Sequence, residues 1–299
     1  MGSAPMTYPE RALVVGDVID DVVARVEMPL RPNTDTPARI LRESGGSAAN
    51  TAVWLAAEGV DVDFVGRVGH VDAERFDAEF AAAGVTAHLE HDPEFATGTI
   101  VILVEGAIRS MLSDRGANVE LDPTRIPLVL LESARVVHLT GYSIFHHHTP
   151  EVMSVFIATA QSVGCQVMVD ASSAGFLQDF GVERFVELIA GADILRCNED
   201  EAAILSGVSD VPEALRLLAL RFPVVVATLG SEGALVWEDG ALTAVPAAPI
   251  EAMVDPTGAG DSFNAGILAG LVSGATVVQA AQRAAEISAR CVTQLGARP

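Results

Sequence analysis

The sequence contains few basic residues and no long apolar run. Lysine and arginine together number 18 against 40 acidic residues, which gives a formal net charge of −22. Because nucleic acids and anionic membranes repel such a surface, we expect neither as a partner. No uncharged apolar run reaches the roughly 18 residues of a membrane-spanning helix. The first residues, MGSAPMTYPERALVV, lack the basic-then-apolar pattern of a secretory signal. The sequence therefore predicts a cytoplasmic location.

Cysteine is also scarce. The three cysteines, Cys165, Cys197 and Cys291, are odd in number and far apart. This pattern indicates small buried side chains in a reducing compartment rather than a disulfide framework or a metal site. Half of the 299 residues are hydrophobic, which is enough to build the core of one large domain.

Two phosphate-binding motifs are missing as well. There is no GxxxxGK[ST] sequence, and no GxGxxG follows the first apolar segment. The first absence excludes a P-loop, and the second argues against a dinucleotide-dependent oxidoreductase.

What is present is an alternation of short apolar strands with helical segments, which predicts an α/β fold whose mostly parallel central sheet is flanked by helices. The predicted strands of this sheet are residues 11–16, 62–66, 136–139, 167–170, 194–197 and 224–229. The predicted helices include residues 51–59, 73–83 and 276–295.

A second group of strands does not fit the central sheet. Residues 22–28 and 37–43, with a hairpin of residues 97–104 and 107–112, predict a small β lid built from about 18–43 and 97–115. We expect residues 10–299 to form a single domain and residues 1–9 to be a flexible N-terminus. His146, His147 and His148 lack metal-ligand spacing and are interpreted as a polar loop.

The most informative stretch is VDPTGAGDSFNAGILAGL, residues 254–271. A turn containing Gly258, Ala259 and Gly260 leads into a helix, whose free N–H groups and dipole create an anion site. Asp261 at the same helix end is well placed to accept a proton from a hydroxyl group. A base beside an anion site is what phosphoryl transfer to an alcohol requires. The alternative is that Asp261 is only a helix cap.

Other polar residues follow predicted strands, where ligands bind in parallel sheets. They are Asp17, Asp20 and Asp21, then Gly45, Gly46 and Asn50, then Asn198 and Glu201, and finally Thr228, Gly230 and Gly233. Each group also has a purely structural alternative. The aspartates could be ordinary turn residues, and the glycines with Asn50 could be a glycine-rich start of a helix. Asn198 and Glu201 could interact with a helix dipole, and the last group could be a plain hairpin before a strand at 234–237. Their i, i+3 spacing places Asn198 and Glu201 on one helix face.

Four of these segments resemble the signatures of the ribokinase-like (PfkB) sugar kinase family. DPTGAGDSFNAG and GGSAAN are similar to its C-terminal and N-terminal signatures, NEDEA to its N-x-x-E motif and TLGSEGA to its nucleotide-binding turn. The resemblance implies a Rossmann-like domain with a small β-sheet lid that phosphorylates a primary hydroxyl of a sugar or sugar acid, using ATP and Mg²⁺, with K⁺ as a candidate activator. It also implies a homodimer formed through the lid.

The resemblance further implies a role for each matching residue. Asp261 would be the catalytic base, and Gly258, Ala259 and Gly260 the anion hole. The substrate would contact Asp21, Gly45, Gly46, Asn50 and the lid residue Arg109. The nucleotide would contact Asn198, Thr228, Gly230 and Gly233. Glu201 would place magnesium through water, while Asp255 and Thr257 match the potassium loop.

Two positions depart from the family pattern. Ile19 replaces an asparagine that is common there, and Ser47 stands where ribokinases usually carry lysine. Both argue against ribose itself as the substrate. An adenosine-like nucleoside kinase is an alternative, as is a non-catalytic sugar-binding regulator, against which the intact Asp261 and GAG turn argue.

Overall fold

The computed structural model describes residues 10–106, 108–144 and 149–299. The predicted flexible N-terminus, the polar loop of His146, His147 and His148, and the first residue of the predicted strand at 107–112 lie outside these ranges. The described residues form two sheets and a set of helices that cover both faces of the larger sheet.

The strands are β1 (Arg11–Val15), β2 (Ile19–Val26), β3 (Ala38–Gly45), β4 (Asp61–Gly69), β5 (Thr86–Asp92), β6 (Gly98–Glu105), β7 (Ile108–Asp114), β8 (Val136–Thr140), β9 (Gln166–Asp170), β10 (Ile194–Asn198), β11 (Val224–Thr228), β12 (Ala234–Glu238) and β13 (Ala241–Val245). The α-helices are α1 (Ser47–Ala57), α2 (Ala73–Ala82), α3 (Leu128–Ser133), α4 (Gly141–Ile144), α5 (Pro150–Ser162), α6 (Ala174–Phe180), α7 (Val182–Leu188), α8 (Glu199–Ser206), α9 (Val211–Leu218), α10 (Ala259–Val272) and α11 (Val277–Val292).

The larger sheet has the strand order β13-β12-β11-β10-β9-β8-β1-β4-β5. In this sheet all neighbouring strands between β11 and β5 are parallel, whereas β12 and β13 form an antiparallel edge next to β11. Central strands such as β1 and β8 are buried on both faces because helices cover both sides of the sheet. The predicted mostly parallel sheet flanked by helices is confirmed.

Helices α10 and α11 form one face of the core together with α1 and α2. A Cβ atom at Gly266 or Gly270 would collide with Ala284 or Ala280 of α11. These glycines therefore allow the two helices to pack with their backbones in close approach. This close packing fixes α10 against the sheet, and with it the turn at the N-terminus of α10.

The smaller sheet has the order β3-β2-β6-β7, with β2 and β6 parallel. Asn118, which follows β7, both accepts from and donates to the backbone of Val18, at 2.9 Å each, and so ties the two ends of this sheet to the larger one. Exposed apolar side chains lie on the smaller sheet, among them Ile40, Ile108, Met111 and Leu112. The homodimer expected through this sheet stays a prediction.

Several predicted boundaries differ from the structure. Strand β2 begins at Ile19 rather than residue 22, and α11 ends at Val292 rather than residue 295. The edge strands β5 and β13 were not predicted, because most of their residues are exposed or only partly buried and neither segment is a continuous apolar run. All three cysteines are free and buried, as expected. Among the described residues, no helix is both long enough and apolar enough to cross a membrane.

Candidate active site

The predicted site residues gather at one edge of the larger sheet. Asp17 and Asp21 follow β1, Asp170 ends β9, and Asn198 and Thr228 end β10 and β11. The carboxyl ends of these parallel strands open onto the same crevice, and the N-terminus of α10 faces it.

Asp261 lies in the first turn of α10, and donors from α1 hold its carboxylate. Ser47 Oγ donates to one oxygen at 2.7 Å, and Asn50 Nδ2 donates to the other at 2.9 Å. Thr51 Oγ1 also donates to the Asp261 carbonyl at 3.2 Å. The two signature segments, although more than 200 residues apart, therefore meet at this carboxylate.

Burial raises the pKa of Asp261 to about 6, and the hydrogen bonds from Ser47 and Asn50 act in the opposite direction. The nearby carboxylates Asp170 and Asp17 raise it further. A carboxylate with a pKa near 6 is mostly ionised at pH 7 and still basic enough to take a proton.

The turn before α10 leaves two backbone donors free. Ala259 N donates to Pro256 O, and Ser262 N donates to Gly258 O. Between them, the N–H groups of Gly260 and Asp261 have no acceptor among the described residues. Gly258 has φ 81°, and a Cβ atom there would lie 2.7 Å from Ala297 O, so this turn requires glycine. Two N–H groups without an acceptor therefore lie where the anion site is predicted, and their role stays a prediction.

The three acids after β1 have different surroundings. Asp17 is buried and accepts from the backbone N–H groups of Ser47 and Ala48, so it anchors the start of α1. Asp20 forms an ion pair with Arg75 at 2.7 Å. Asp21 has no hydrogen-bond partner among the described residues, and its carboxylate lies directly against Gly45. Of the three, Asp21 is therefore the acid available to a ligand.

Burial raises the pKa of Asp21 to about 7, with the carboxylates of Asp17 and Glu43 adding to the effect and Arg298 opposing it. Gly46 caps α1, which carries Asn50 in its first turn. The structure thus brings together Asp21, Gly45, Gly46, Asn50 and Asp261, as the sequence predicted. Their roles stay a prediction.

Arg109 lies elsewhere. Its guanidinium donates to Thr257 Oγ1 at 3.0 Å and to Asp255 Oδ1 at 3.3 Å, so it contacts the predicted cation loop. Burial favours a higher pKa for Asp255, but hydrogen bonds from Thr257 and Gly296 and the charge of Arg109 lower it. In this structure the predicted lid arginine and the predicted potassium loop form one ionic contact.

A cavity of about 570 Å³ lies on the other side of the anion site. Its lining includes the predicted nucleotide residues Thr228, Gly230 and Gly233, together with Gly260, Phe263 and the apolar segment 247–250. An apolar cavity with a few polar groups at one end is typical of a nucleotide site. A more open groove of about 860 Å³ shares the wall at 248–250 but contains none of the predicted site residues.

Arg196 is a residue of this cavity that sequence reasoning missed. It is 6% exposed, lies 3.2 Å from Asp170, donates to Thr228 Oγ1 at 3.0 Å and sits against Gly260. Its Nε atom has no hydrogen-bond partner among the residues that the structure describes. Asp170 also accepts from Asn264 and the backbone N–H of Ser172. The sequence did contain a signal for Arg196, because an arginine inside the apolar strand ILRCN must be buried, and a buried charge requires a partner.

Asn198 and Glu201 contact each other as a capping box at the start of α8. Glu201 N donates to Asn198 Oδ1 at 2.8 Å, and Asn198 N donates to Glu201 Oε2 at 2.8 Å. Burial and the charge of Asp170 raise the pKa of Glu201 to about 7. No group of three or more His, Cys, Asp and Glu side chains in the described part of the chain is arranged to hold a metal ion.

Comparisons with known proteins agree with this geometry. A family model described as pfkB family carbohydrate kinase matches residues 9–299. The chain is 29% identical over 295 residues to the ATP-dependent ribose-1-phosphate kinase of Halopiger xanaduensis, covering 96% of this chain and 94% of the relative. It is 27% identical over 271 residues to a fructokinase of Klebsiella pneumoniae, covering 87% and 84%. Among solved structures, the adenosine kinase of Sinorhizobium meliloti is similar with a TM-score of 0.85, 26% identity and coverage of 98% and 96%.

Proposed function

The chain belongs to the pfkB family of carbohydrate kinases, and from that premise we propose that it transfers the γ-phosphate of ATP to a primary hydroxyl of a small sugar or sugar acid. One observation carries the proposal. The Asp261 carboxylate, held by Ser47 and Asn50, lies at the helix end where two backbone N–H groups are free. A proton acceptor and an anion site are thus side by side.

In this mechanism Asp261 accepts the proton of the acceptor hydroxyl as its oxygen attacks the phosphorus atom. The bond from phosphorus to the bridging oxygen of ADP breaks as the new bond forms. The N–H groups of Gly260 and Asp261 stabilise the charge on the transferring phosphoryl group. Arg196, which is paired with Asp170 and buried against Gly260, presents its guanidinium N–H groups on the nucleotide side.

Magnesium would neutralise the phosphate charges in such a transfer. Glu201 is the carboxylate of the predicted motif, and its capping box with Asn198 lies at the same strand edge as Arg196 and Thr228. Glu201 is buried and both of its carboxylate oxygens accept hydrogen bonds from Asn198, so a magnesium ion, which keeps several waters, would be held through water and not by direct coordination. Asp255 and Thr257 are the proposed potassium ligands, and Arg109 would have to leave them for the ion to bind.

Asp21 and Asn50 are the proposed acceptor-binding pair. A carboxylate accepts and an amide both accepts and donates, so together they suit neighbouring hydroxyl groups. The smaller sheet, which carries Asp21 on β2 and Gly45 on β3, is proposed to cover the acceptor as a lid.

A nucleoside acceptor is the second candidate, and one observation favours it. Tyr142 and Phe176 meet edge to face with ring centroids 5.5 Å apart, and the guanidinium of Arg115 lies 4.8 Å from the Tyr142 ring centroid. Tyr142 lies two residues after Thr140, whose hydroxyl donates to Asp17 at 3.1 Å, and this connection places the ring near the acceptor side. Aromatic rings are the surfaces on which bases stack.

The experiment is a screen of pentoses, hexoses, sugar acids, sugar phosphates and nucleosides, scored by acceptor-dependent release of ADP. The Asp261→Asn variant serves as the matched control for contaminating kinases. Acceptor-dependent turnover that disappears in the variant supports the proposal. Turnover with nucleosides alone selects the second candidate, and equal ADP release by both proteins with every compound contradicts both.

A further inference from the structure

Arg298, which follows α11, reaches the acceptor end of the site. Its Nε atom donates to Asn50 Oδ1 at 3.0 Å, and one terminal nitrogen donates to Gly45 O at 3.2 Å. The other terminal nitrogen lies 3.8 Å from Glu79. Both hydrogen-bond acceptors belong to the segment that we propose for the acceptor, and Asn50 also contacts Asp261.

The chemistry of these donors allows only one orientation of the Asn50 amide. A guanidinium has N–H donors and no acceptor, so it must face the Asn50 oxygen. An ionised carboxylate only accepts, so the Asn50 NH₂ group must face Asp261. Without Arg298, the amide could turn and present its oxygen to a protonated Asp261, which would donate to it, so the protonated form would be stabilised.

The backbone that carries Arg298 is anchored independently of this side chain. Trp54 Nε1 donates to Ala297 O at 2.8 Å, and Gln294 Nε2 donates to Arg298 O at 2.9 Å. Ala297 also packs against Gly258 of the anion site. A change confined to the Arg298 side chain therefore leaves these contacts in place.

From this chain of contacts we infer that Arg298 is a positioning residue, which fixes the Asn50 amide and through it holds the Asp261 carboxylate ready to accept a proton. The inference rests on the proposed function, in which Asp261 is the base. Arg298 contacts neither reacting atom in this scheme and acts through Asn50.

The charges around Asp261 give this role a pH signature. Asp17 beyond β1, Asp170 of β9, Tyr142 of α4 and Cys291 of α11 face it, and each is an acid or becomes anionic when it ionises. Arg298 is a cation that interacts with the Asp261 charge. Removing Arg298 removes an attractive charge and frees the amide, so the Asp261 carboxylate should bind its proton more tightly.

The test compares Arg298→Met, Arg298→Lys and the control Arg290→Met, which removes an arginine of α11 that forms an ion pair with Glu58 away from the site. In pH–rate profiles we expect the acidic limb of Arg298→Met to move up by about one pH unit. A shift of that size lowers the rate on the order of tenfold below pH 6, and the difference in rate becomes small above about pH 8. Arg298→Lys should lie between wild type and Arg298→Met, and Arg290→Met should match wild type. A loss of equal size at every pH, or no loss, would overturn the inference.

A second measurement does not depend on activity. With ¹³C-labelled aspartate, the Asp261 carboxyl signal is identified by its absence in Asp261→Asn and titrated directly in each protein. A raised pKa in Arg298→Met and not in Arg290→Met supports the inference, and equal values overturn it. If the wild-type protein phosphorylates none of the acceptors in the screen, the proposed function fails while this titration still decides the role of Arg298.

Discussion

Replacing Asp261 with asparagine is the most direct test of the site. The substitution keeps the shape of the side chain and removes its ability to accept a proton. General bases contribute about 10²- to 10⁴-fold to turnover, so the kcat of Asp261→Asn should fall by that factor. ATP should still bind, because Asp261 is not among the residues that line the cavity proposed for the nucleotide beyond Gly260.

The structure also predicts how the new amide would sit. Arg298 holds the Asn50 NH₂ group towards position 261, so the asparagine oxygen must face Asn50 and its NH₂ group must face Ser47. The Ser47 hydroxyl can turn and accept that hydrogen bond. All hydrogen bonds around the position therefore survive, and the loss of turnover would report the chemistry rather than a local collapse.

The assay is steady-state ADP release with an acceptor identified by the screen, together with calorimetric titration of ATP. The control is Asp20→Asn, which removes an equally charged side chain of strand β2 that forms an ion pair with Arg75. This control should retain its kcat. Near-normal turnover by Asp261→Asn, with the acceptor dependence intact, would refute the assignment of the base.

Three further predictions follow from the same geometry. Asp21→Ala should raise the KM of the acceptor at least about tenfold, the worth of a charged hydrogen bond, while the KM of ATP stays unchanged; a higher KM for ATP alone would reverse the two ends of the site. Glu201→Gln should raise the magnesium concentration that gives the half-maximal rate, and an unchanged magnesium titration would leave Glu201 a purely structural cap. Burial raises the pKa values of Asp21 and Glu201 to about 7 and that of Asp261 to about 6. Between about pH 5 and pH 7.5 the folded protein therefore holds protons that the unfolded chain has released, and stability should fall as pH rises. Calorimetry should show a Tm a few degrees higher at pH 5.5 than at pH 8, and Asp21→Asn with Glu201→Gln should flatten that slope, which separates it from general charge repulsion.

The sequence predicted the sheet well wherever a strand is buried on both faces. Strands such as β1 and β11 are nearly continuous apolar runs, and that pattern can be recognised without knowledge of the neighbouring strands. The edge strands β5 and β13 were missed for the opposite reason. Most of their residues are exposed or only partly buried. Their conformation is determined by pairing with the neighbouring strand, and no local sequence pattern indicates that pairing.

The site was predictable where its residues are contiguous and not where they meet from remote segments. The turn at Gly258 and the base at Asp261 lie within one short string, so their type and spacing carried the prediction. Arg298 contacts Asn50 across 248 residues, and Arg109 contacts Asp255 across 146. Neither pairing follows from spacing, since each depends on which loops the fold brings to the same edge of the sheet.

The departure at Ser47 shows how the two kinds of information combine. The sequence marked this position only as a serine where related sugar kinases carry lysine. In the structure, Ser47 Oγ is one of two side-chain donors to the Asp261 carboxylate, at 2.7 Å. A lysine there would bring a full positive charge to the base and lower its pKa, whereas the neutral hydroxyl leaves burial dominant and the pKa near 6. The positive charge near the base is that of Arg298, which contacts Asn50 and interacts with the Asp261 charge. Ser47 and Arg298 therefore act on the same carboxylate: Ser47 donates a hydrogen bond that lowers the Asp261 pKa, and Arg298 contacts Asn50, the other donor, and brings a positive charge near it.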